Sequence, residues 1–387
     1  MSNLMETYKR LPVAFARGAG AYLEDTDGKK YLDALTGIAV CGLGHAHPNV
    51  TRAIADQAGA LMHTSNLYEI PLQTSLAEKL CARSGMDKVF FGNSGAEANE
   101  AAIKIARLHG HNQGIEKPTV VVMEGSFHGR TMATLTATGN RKVQAGFEPL
   151  LKGFVRAPFG DADAVALIAK NNPDVTAVLV EPVLGEGGVI IPADDYLARL
   201  RAICDEHNWL LMLDEVQTGN GRTGAYFAYQ KADILPDVVT TAKGLGNGVP
   251  IGACLARGHA ADILQPGNHG STFGGNPLVC AAAHAVLDTL EADNLIDRAR
   301  ELGERITGGL AEALSGNNAV QDIRGAGLMI AVELAAPCGE LVGKALEQGL
   351  LINVTRDNVV RLLPPLTLSD EEADELVARV ARVINNA

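Results

Sequence analysis

The sequence LLMLDEVQ, residues 210–217, decides the fold, because a run of four apolar residues ends abruptly in charged and polar ones. The run has the length and composition of a buried strand, and Asp214 stands at its carboxyl end. A second stretch of this kind, residues 237–243, ends at Lys243 and is followed by the glycine-rich sequence GLGNG. Ligands bind at the carboxyl edge of open α/β sheets. An acid and an amine at that edge suit a cofactor that needs one protonated ring nitrogen and one covalent imine link.

Length and composition are those of an ordinary soluble globular protein. The 387 residues suffice for one large and one smaller domain, and 47% of them are hydrophobic. The net charge is −12 and no long basic run occurs, so we expect no nucleic acid partner. Six scattered cysteines without a C-x-x-C pair favour reduced thiols. No signal-peptide pattern and no apolar stretch of roughly 20 residues is visible. We therefore expect a cytoplasmic protein that does not enter a membrane.

Residues 89–100 combine an apolar strand with the start of a helix. Ser94, with Glu97 three residues later, has the pattern of a capping box. Free amides at Ser94, Gly95 and Ala96 would bind a phosphate at the helix N-terminus, although an ordinary capped helix fits the pattern equally well. A nucleophilic serine in a G-x-S-x-G turn is disfavoured, because alanine stands where the second glycine belongs.

Two other predicted strands end in loops with candidate site residues. Strand 119–123 precedes Phe127 and Arg130. These are either site-lining residues or, as is commoner for each alone, a core phenylalanine and a solvated arginine. Strand 175–180 precedes the glycine-rich residues 181–189, whose carboxylates belong either to a hairpin turn or to a site.

Three other kinds of site lack their signatures. No G-x-G-x-x-G sequence follows a strand, which argues against a dinucleotide fold. Residues 339–344 lack P-loop spacing, which argues against an ATPase. His45 and His47 have no carboxylate at matching spacing, so we expect no metal site.

The chain ends differ from the βαβ middle. Residues 1–48 contain short strands with an Asp-Gly hairpin turn. A helix from residue 278 to about 293 is expected to bridge to the last domain. Beyond it the pattern predicts further helices, strands at 327–333, 350–354 and 359–363, and a final helix that begins after Ser369.

Six motifs together resemble those of the class III pyridoxal-phosphate aminotransferases, in order and spacing. They are NSGAEAN at 93–99, SFHGR at 126–130, EGG at 186–188, DEVQTG at 214–219, AKG at 242–244 and STFGGNP at 271–277. The likeness covers almost the whole chain and is closest to class members that use acetylornithine. It implies the α/β, aspartate-aminotransferase-like fold (fold type I of PLP-dependent transferases). That fold has a large domain with a mostly parallel seven-stranded sheet and a smaller α+β domain.

The resemblance also implies a domain division and an assembly. Residues 1–48 would form the N-terminal part of the small domain, residues 49–280 the large cofactor-binding domain, and residues 281–387 the C-terminal part of the small domain. It further implies a homodimer whose active sites are shared between the two subunits.

The resemblance assigns a role to each matching position. Lys243 would bind pyridoxal 5′-phosphate covalently, Asp214 would face its ring nitrogen, Gln217 would lie near its phenolic oxygen and Phe127 would stack on its ring. The remaining cofactor contacts implied are Ser94, Gly95, Ala96, Glu215, Val216 and Thr272, the last of these from the other subunit.

The substrate contacts implied are Arg130, Ser271, Glu186 and Arg361. The charge logic supports an arginine paired with a movable glutamate. Glutamate carries a carboxylate on its reacting carbon, whereas the terminal amine of acetylornithine sits on a bare CH₂. Glu186 would leave Arg361 for the first substrate and mask it for the second, and Arg130 would bind the distal carboxylate of both. An exposed strand arginine is the alternative reading of Arg361.

The activity implied is transfer of the δ-amino group of N-acetylornithine to 2-oxoglutarate, in arginine biosynthesis. In family members that take free ornithine, a tyrosine stands about where this chain has Ile38, and an apolar residue suits an acylated amine better. The rival amine donors are succinylornithine or succinyldiaminopimelate, free ornithine and 4-aminobutyrate. An aminomutase and a catalytically silent protein that binds pyridoxal phosphate are the remaining alternatives.

Overall fold

The structure, a computed structural model, describes residues 3–386. Its strands, numbered along the chain, are β1 (Phe15–Ala19), β2 (Tyr22–Asp25), β3 (Lys30–Asp33), β4 (Lys88–Gly92), β5 (Thr119–Met123), β6 (Phe154–Ala157), β7 (Val175–Val180), β8 (Leu210–Asp214), β9 (Val238–Thr241), β10 (Gly252–Ala256), β11 (Val320–Ala326), β12 (Met329–Leu334), β13 (Leu350–Leu351), β14 (Asn353–Thr355) and β15 (Val359–Leu362).

The α-helices are numbered in the same way. They are α1 (Thr36–Ala39), α2 (Pro48–Ala60), α3 (Pro71–Ser84), α4 (Gly95–Asn112), α5 (Met132–Ala137), α6 (Arg141–Gln144), α7 (Ala162–Asn171), α8 (Tyr196–His207), α9 (Pro277–Ala292), α10 (Leu295–Ala313), α11 (Leu341–Glu347) and α12 (Asp370–Asn385). None of the helices between residues 3 and 386 is long and apolar enough to cross a membrane. All six cysteines are unpaired.

A seven-stranded sheet in the order β4-β10-β9-β8-β7-β5-β6 occupies the middle of the chain. Only β10 runs against its neighbours, so the predicted mostly parallel sheet is confirmed. Both faces are covered, which explains why strands such as β7 and β8 are apolar throughout. Alternate residues of β8 point to opposite sides: Leu211 and Leu213 belong to the core that contains α8, whereas Leu210 and Met212 pack with α4.

The two ends of the chain build two four-stranded sheets, in the orders β1-β2-β3-β13 and β11-β12-β15-β14. The first joins N-terminal and C-terminal residues, because β3 pairs in parallel with β13 through Leu32 and Leu350. The domain boundaries at residues 48 and 280 remain predictions, and residues 1, 2 and 387 lie outside the described part.

One predicted strand, 350–354, is wrong as a single element. Residues 350–351 pair with β3, whereas residues 353–355 pair with β15 in the other small sheet. The chain therefore changes sheets at Ile352, which local composition does not reveal. Strand β11 was not predicted, because its sequence VQDIRGA mixes polar residues and glycine with few apolar ones.

The loop after β3 contains an unusual left-handed turn. Thr36, Gly37, Ile38 and Ala39 all have φ between 50° and 67°, a region that β-branched residues rarely adopt. Asp33 holds the turn, because its Oδ1 accepts the amides of residues 35 and 36 at 2.9 and 2.8 Å. The Thr36 hydroxyl donates to the carbonyl of residue 363 at 2.8 Å.

The β3–β13 pairing leads to a stability prediction. Leu350 has no exposed surface, so Leu350→Ala should lower the free energy of unfolding by about 2–5 kcal/mol through lost burial and a residual cavity. The matched control is Leu167→Ala, whose side chain is 61% exposed and should change the value by less than about 0.5 kcal/mol. Urea unfolding measures both. Equal effects would show that this pairing contributes no packing energy.

Candidate functional site

The carboxyl ends of four parallel strands meet at one edge of the large sheet. β8 ends at Asp214, β9 is followed by Lys243, β7 by Glu181, and β5 by the loop with Phe127. All four residues line one cavity of about 390 Å³, together with Ser94, Gly95, Ala96, Arg130, Val216 and Gln217. The structure therefore brings together most of the predicted site residues.

The Asp214 carboxylate is buried and has three donors. Its Oδ2 accepts from Nδ2 of Asn99 at 2.7 Å and from Nδ1 of His128 at 2.8 Å, and its Oδ1 accepts from the amide of Val216 at 3.0 Å. Asn99 also accepts from the hydroxyl of Thr240 on β9. These contacts fix the carboxylate in one orientation toward the cavity. Asn99 and His128 stand inside the quoted motifs, but no role was predicted for either.

Lys243 is half-buried at the wall of the cavity. Burial lowers the pKa of its amine, and the nearby Arg361 lowers it further, while the carboxylates of Glu186 and Asp214 act in the opposite direction. The net pKa is below the ordinary value, so a larger fraction of the amine is neutral at a given pH than in a free lysine. The residue has a φ of 46° and opens a 3₁₀ turn, Lys243–Leu245.

The N-terminus of α4 borders the same cavity. Ser94 is the N-cap, and its hydroxyl accepts from the amide of Glu97 at 3.2 Å. The returning bond runs from the amide of Asn93, rather than from that of Ser94, to the Glu97 carboxylate at 2.6 Å. The second hydrogen bond of the predicted capping box therefore comes from the residue before the N-cap and not from the N-cap itself. A Cβ atom on Gly95 would lie only 2.7 Å from Cγ1 of Val216, so a glycine is required where the loops meet.

Arg361 and Glu186 form the predicted ion pair, with Nη1 and Oε1 2.6 Å apart. Arg361 is completely buried, and its Nη1 also donates to Oε1 of Gln217 at 3.1 Å. Burial raises the pKa of Glu186, but the charge and hydrogen bond of Arg361 outweigh burial and leave the pKa below its usual value. Nη2 of Arg361 has no hydrogen-bond partner among the described residues. The exposed-arginine alternative is therefore excluded.

Arg130 lies at the exposed side of the cavity. Its guanidinium carbon is 5.6 Å from the ring centroid of Phe127, and the arginine itself is exposed. The amide of Phe127 donates to Oε1 of Glu181 at 2.8 Å. The loop is thereby tied to the end of β7, with its cation directed to solvent.

Glu181 is a buried carboxylate for which the sequence left two readings open. It lines the cavity, which favours the site reading for this residue, whereas Glu186 lies in a turn closed by the pairing of Leu184 with Ile190, as the hairpin reading expects. Burial, followed by the charge of Asp214, raises the pKa of Glu181 to about 7. Its second oxygen accepts from the amide of Gly185 at 3.1 Å.

Five predicted site residues do not line this cavity. Arg361 and Glu186 are two of them, and they connect to it through Gln217, which does line it. The other three are Glu215, Thr272 and Ser271. The Glu215 carboxylate lies in the interior, where the Thr218 hydroxyl and the amide of Tyr229 donate to it. Thr272 is exposed, and Ser271 beside it accepts from Nδ2 of Asn93 at 3.2 Å. Thr272 and Ser271 line a neighbouring surface depression together with His63, Ser65, Asn66 and Leu67.

Comparison with known proteins gives one consistent family. The model of "Aminotransferase class-III" matches residues 4–384. The chain is 57% identical to the acetylornithine aminotransferase of Nitrosomonas europaea, over 99% of this chain and 98% of that protein. It is 54% identical to acetylornithine aminotransferase 1 of Bordetella pertussis, over 97% and 96%. The crystal structure of the ornithine aminotransferase from Toxoplasma gondii ME49 superposes with a TM-score of 0.96 at 35% identity, covering 99% of this chain and 93% of that one.

The interior position of Glu215 leads to a prediction of pH-dependent stability. Burial raises its pKa from 4.5 to about 7, so the folded protein retains a proton that the unfolded chain has released. The stability from this group is complete below about pH 4.5 and is lost as the pH rises to about 7. We compare the free energy of unfolding of the wild type with that of Glu215→Gln. The difference, wild type minus mutant, should fall by up to about 1.4 kcal/mol per pH unit between pH 5 and 7.

Urea unfolding at pH 5, 6 and 7 measures this difference. Glu78→Gln, at an exposed position of α3, is the matched control. A difference for Glu215→Gln that does not change with pH would contradict the prediction.

Proposed function

Since this chain belongs to the class III aminotransferases, which are pyridoxal-5′-phosphate-dependent enzymes, we propose that it transfers the δ-amino group of N-acetylornithine to 2-oxoglutarate. The products are N-acetylglutamate 5-semialdehyde and glutamate, and the reaction belongs to arginine biosynthesis. The observation that carries the proposal is the ion pair between Glu186 and the buried Arg361, which adjoins Lys243.

The ion pair suits two substrates that differ in charge at the reacting carbon. The α-carboxylate of glutamate takes the place of Glu186 on Arg361, whose free Nη2 offers a further donor. Acetylornithine has no carboxylate at its reacting carbon, so the ion pair stays closed and no cation is left buried without a partner. Glu186 is partly exposed, with 35% of its side chain accessible, and has room to move.

The cavity residues fit pyridoxal phosphate by the chemistry of their donors. Asp214, fixed by three hydrogen bonds, would face the ring nitrogen, and Gln217 would lie near the phenolic oxygen. Phe127 would stack on the ring. The phosphate would bind at the N-terminus of α4, whose first amides have no partner within the helix. Ser94, Gly95 and Ala96 provide these amides, beside Val216.

Lys243 is proposed as the residue that holds and moves the proton. When bound, pyridoxal phosphate supplies an aldehyde that links to amines and a ring that withdraws electrons from the reacting carbon. The lowered pKa of Lys243 favours a neutral amine, which can accept a proton from that carbon and return it one position away. The lysine is half-buried in the cavity, so bulk water has limited access to its amine.

The substrate's distal end is proposed to lie at the exposed side of the cavity. Arg130 would bind the distal carboxylate, which is present in both substrates, and Ser271 would contribute near Asn93. Val40, in the turn that follows the left-handed residues 36–39, lines the cavity. Ile38, one of those left-handed residues, does not line the cavity and packs against the apolar cluster that contains Val189. This apolar turn suits an acylated amine better than a free ammonium group.

We also propose a cytoplasmic homodimer with shared sites. Residues 61–68 carry exposed Leu61, Met62, Leu67 and Tyr68 beside the exposed Phe273, and Asn66 donates to the carbonyl of Ser271 at 3.0 Å. An apolar surface of this kind is typical of a protein interface. A second subunit on this face would bring the partner's Thr272 toward the phosphate.

The substrate proposal predicts a ranking of amine donors. With 2-oxoglutarate as acceptor, glutamate formation should be fastest with N-acetylornithine and slower with succinylornithine, free ornithine and 4-aminobutyrate. The physical reason is that Val40, in an apolar turn, lines the cavity, and an apolar side chain offers no charge to a free α-ammonium group. Initial rates at equal donor concentration measure the ranking.

Lys243→Ala is the control for this assay and should form no glutamate. Turnover of free ornithine equal to or above that of acetylornithine would overturn the substrate assignment. Purified protein that acquires no visible absorption band with added pyridoxal phosphate would overturn the cofactor assignment as well.

Asp214→Asn should reduce turnover strongly while leaving the fold intact. Loss of the carboxylate removes the charge that keeps the ring nitrogen protonated. If this coupling is worth two pKa units, activity falls by about 100-fold. The change should also alter the absorption spectrum of the bound cofactor. Asp163→Asn, a surface change, is the control. A fall of only a few fold at Asp214 would contradict its role.

A further inference from the structure

The segment that carries Glu186 is a tight hairpin, residues 184–190, which we call the 186 hairpin. Its two ends pair with each other: the amide of Leu184 donates to the carbonyl of Ile190 at 3.1 Å, and the reverse bond is 3.2 Å. Within the tip, the amide of Gly188 donates to the carbonyl of Gly185 at 3.2 Å. Glu186 lies in this tip and extends its carboxylate to Arg361.

The hairpin backbone is held in a conformation that its sequence does not favour. Val189 is fully buried and has a φ of 52°, which a β-branched residue rarely adopts. Such a conformation persists only where the surrounding structure over-determines it. The tip is also packed without spare room, because a Cβ on Gly185 would lie 2.5 Å from the side-chain amide of Gln217.

Arg324, on strand β11, supplies the two shortest side-chain hydrogen bonds to this backbone, and Nη1 of Arg356 adds a longer one to the carbonyl of Gly187 at 3.4 Å. The Nε of Arg324 donates to the carbonyl of Val189 at 2.9 Å, and its Nη2 donates to the carbonyl of Gly188 at 2.7 Å. Its Nη1 is held by Asp322 at 2.6 Å and Glu333 at 2.7 Å. A planar guanidinium can bind two adjacent carbonyls and two carboxylates together, whereas a lysine ammonium cannot reproduce that geometry.

We propose that Arg324 is a positioning residue that fixes the 186 hairpin and so sets the balance between the two half-reactions. The proposal rests on the proposed function, in which Glu186 masks Arg361 for one substrate and leaves it for the other. With the backbone fixed, Glu186 moves by side-chain rotation alone and returns to the same place. With the backbone released, Glu186 spends less time on Arg361.

The two half-reactions respond differently to that release. Acetylornithine needs the closed ion pair between Glu186 and Arg361, because no group of this substrate neutralises Arg361. Glutamate brings its own α-carboxylate to Arg361 and displaces Glu186 in any case. Loosening the hairpin should therefore impair the acylornithine half-reaction selectively, whereas general damage to the enzyme would slow both.

The first experiment measures the hairpin directly, by hydrogen–deuterium exchange of the cofactor-loaded enzyme. Arg324→Gln should speed exchange of the amides of residues 184–190 by about tenfold or more, because the carbonyl contacts that hold the turn are lost. Asp322→Asn is the matched control. It removes one partner of Arg324 at an exposed position and leaves both carbonyl contacts, so exchange in the hairpin should stay as in the wild type. Unchanged exchange in Arg324→Gln would overturn the proposal.

The second experiment measures single-turnover rates of each half-reaction. In Arg324→Gln the specificity for acetylornithine relative to glutamate should fall by about tenfold or more, as expected when a positioned group shifts by about an ångström. Arg324→Lys retains the charge beside Asp322 and Glu333 and should show a smaller fall in the same direction. Equal losses in both half-reactions of both variants would mark Arg324 as merely structural and overturn the proposal.

Glu186→Gln separates this inference from the proposed function. If Glu186→Gln changes the ratio of the half-reactions and Arg324→Gln does not, the switch stands and the role of Arg324 is refuted. If Glu186→Gln leaves the ratio unchanged, the switch itself is refuted, and the proposal for Arg324 falls with it.

Discussion

The site depends on one constraint, which is that charged groups are buried where the parallel strands end. Asp214, Glu181 and Arg361 are buried and Lys243 is half-buried, and a buried charge is costly unless neighbouring groups compensate it. The need to compensate these charges explains the polar groups around them. Asn99 and His128 donate to Asp214, two backbone amides donate to Glu181, and Glu186 neutralises Arg361. Within residues 3–386 nothing is hydrogen-bonded to the Lys243 amine, and its pKa is lowered by burial.

The guanidinium of Arg361 is only partly hydrogen-bonded, which suits its proposed task of binding the α-carboxylate of glutamate. One guanidinium nitrogen is paired with Glu186 and Gln217, while Nη2 has no partner among the described residues. A carboxylate that arrives there gains a desolvated, charge-assisted contact. A fully satisfied arginine would have nothing left to offer a substrate, and an unpaired one would destabilise the acylornithine complex.

The small sheets position the site from outside the cofactor cavity. β11 delivers Arg324 to the backbone of the 186 hairpin, and β15 delivers Arg361 to its carboxylate. The first small sheet ties the N-terminal strands to β13, and the left-handed turn that follows β3 brings Val40 to the cavity. In this proposal the chain ends supply Arg361 and Arg324 for substrate discrimination, together with Glu186 from the middle of the chain, and the middle also supplies the groups for the chemistry.

The sequence by itself determined the βαβ middle, the residues at the strand ends and the family likeness. Those features are local: an apolar run ending in Asp214, a capped helix at Ser94, and motifs whose residues are close in sequence. The family likeness, together with the charges of the two substrates, also led to the pairing of Glu186 with Arg361. Only the tertiary structure decided that residues 350–355 divide between two sheets, that Glu215 points into the interior, and that Arg324 holds the 186 hairpin. These depend on contacts between residues far apart in the chain, and the local pattern around each residue does not specify which distant partner it meets.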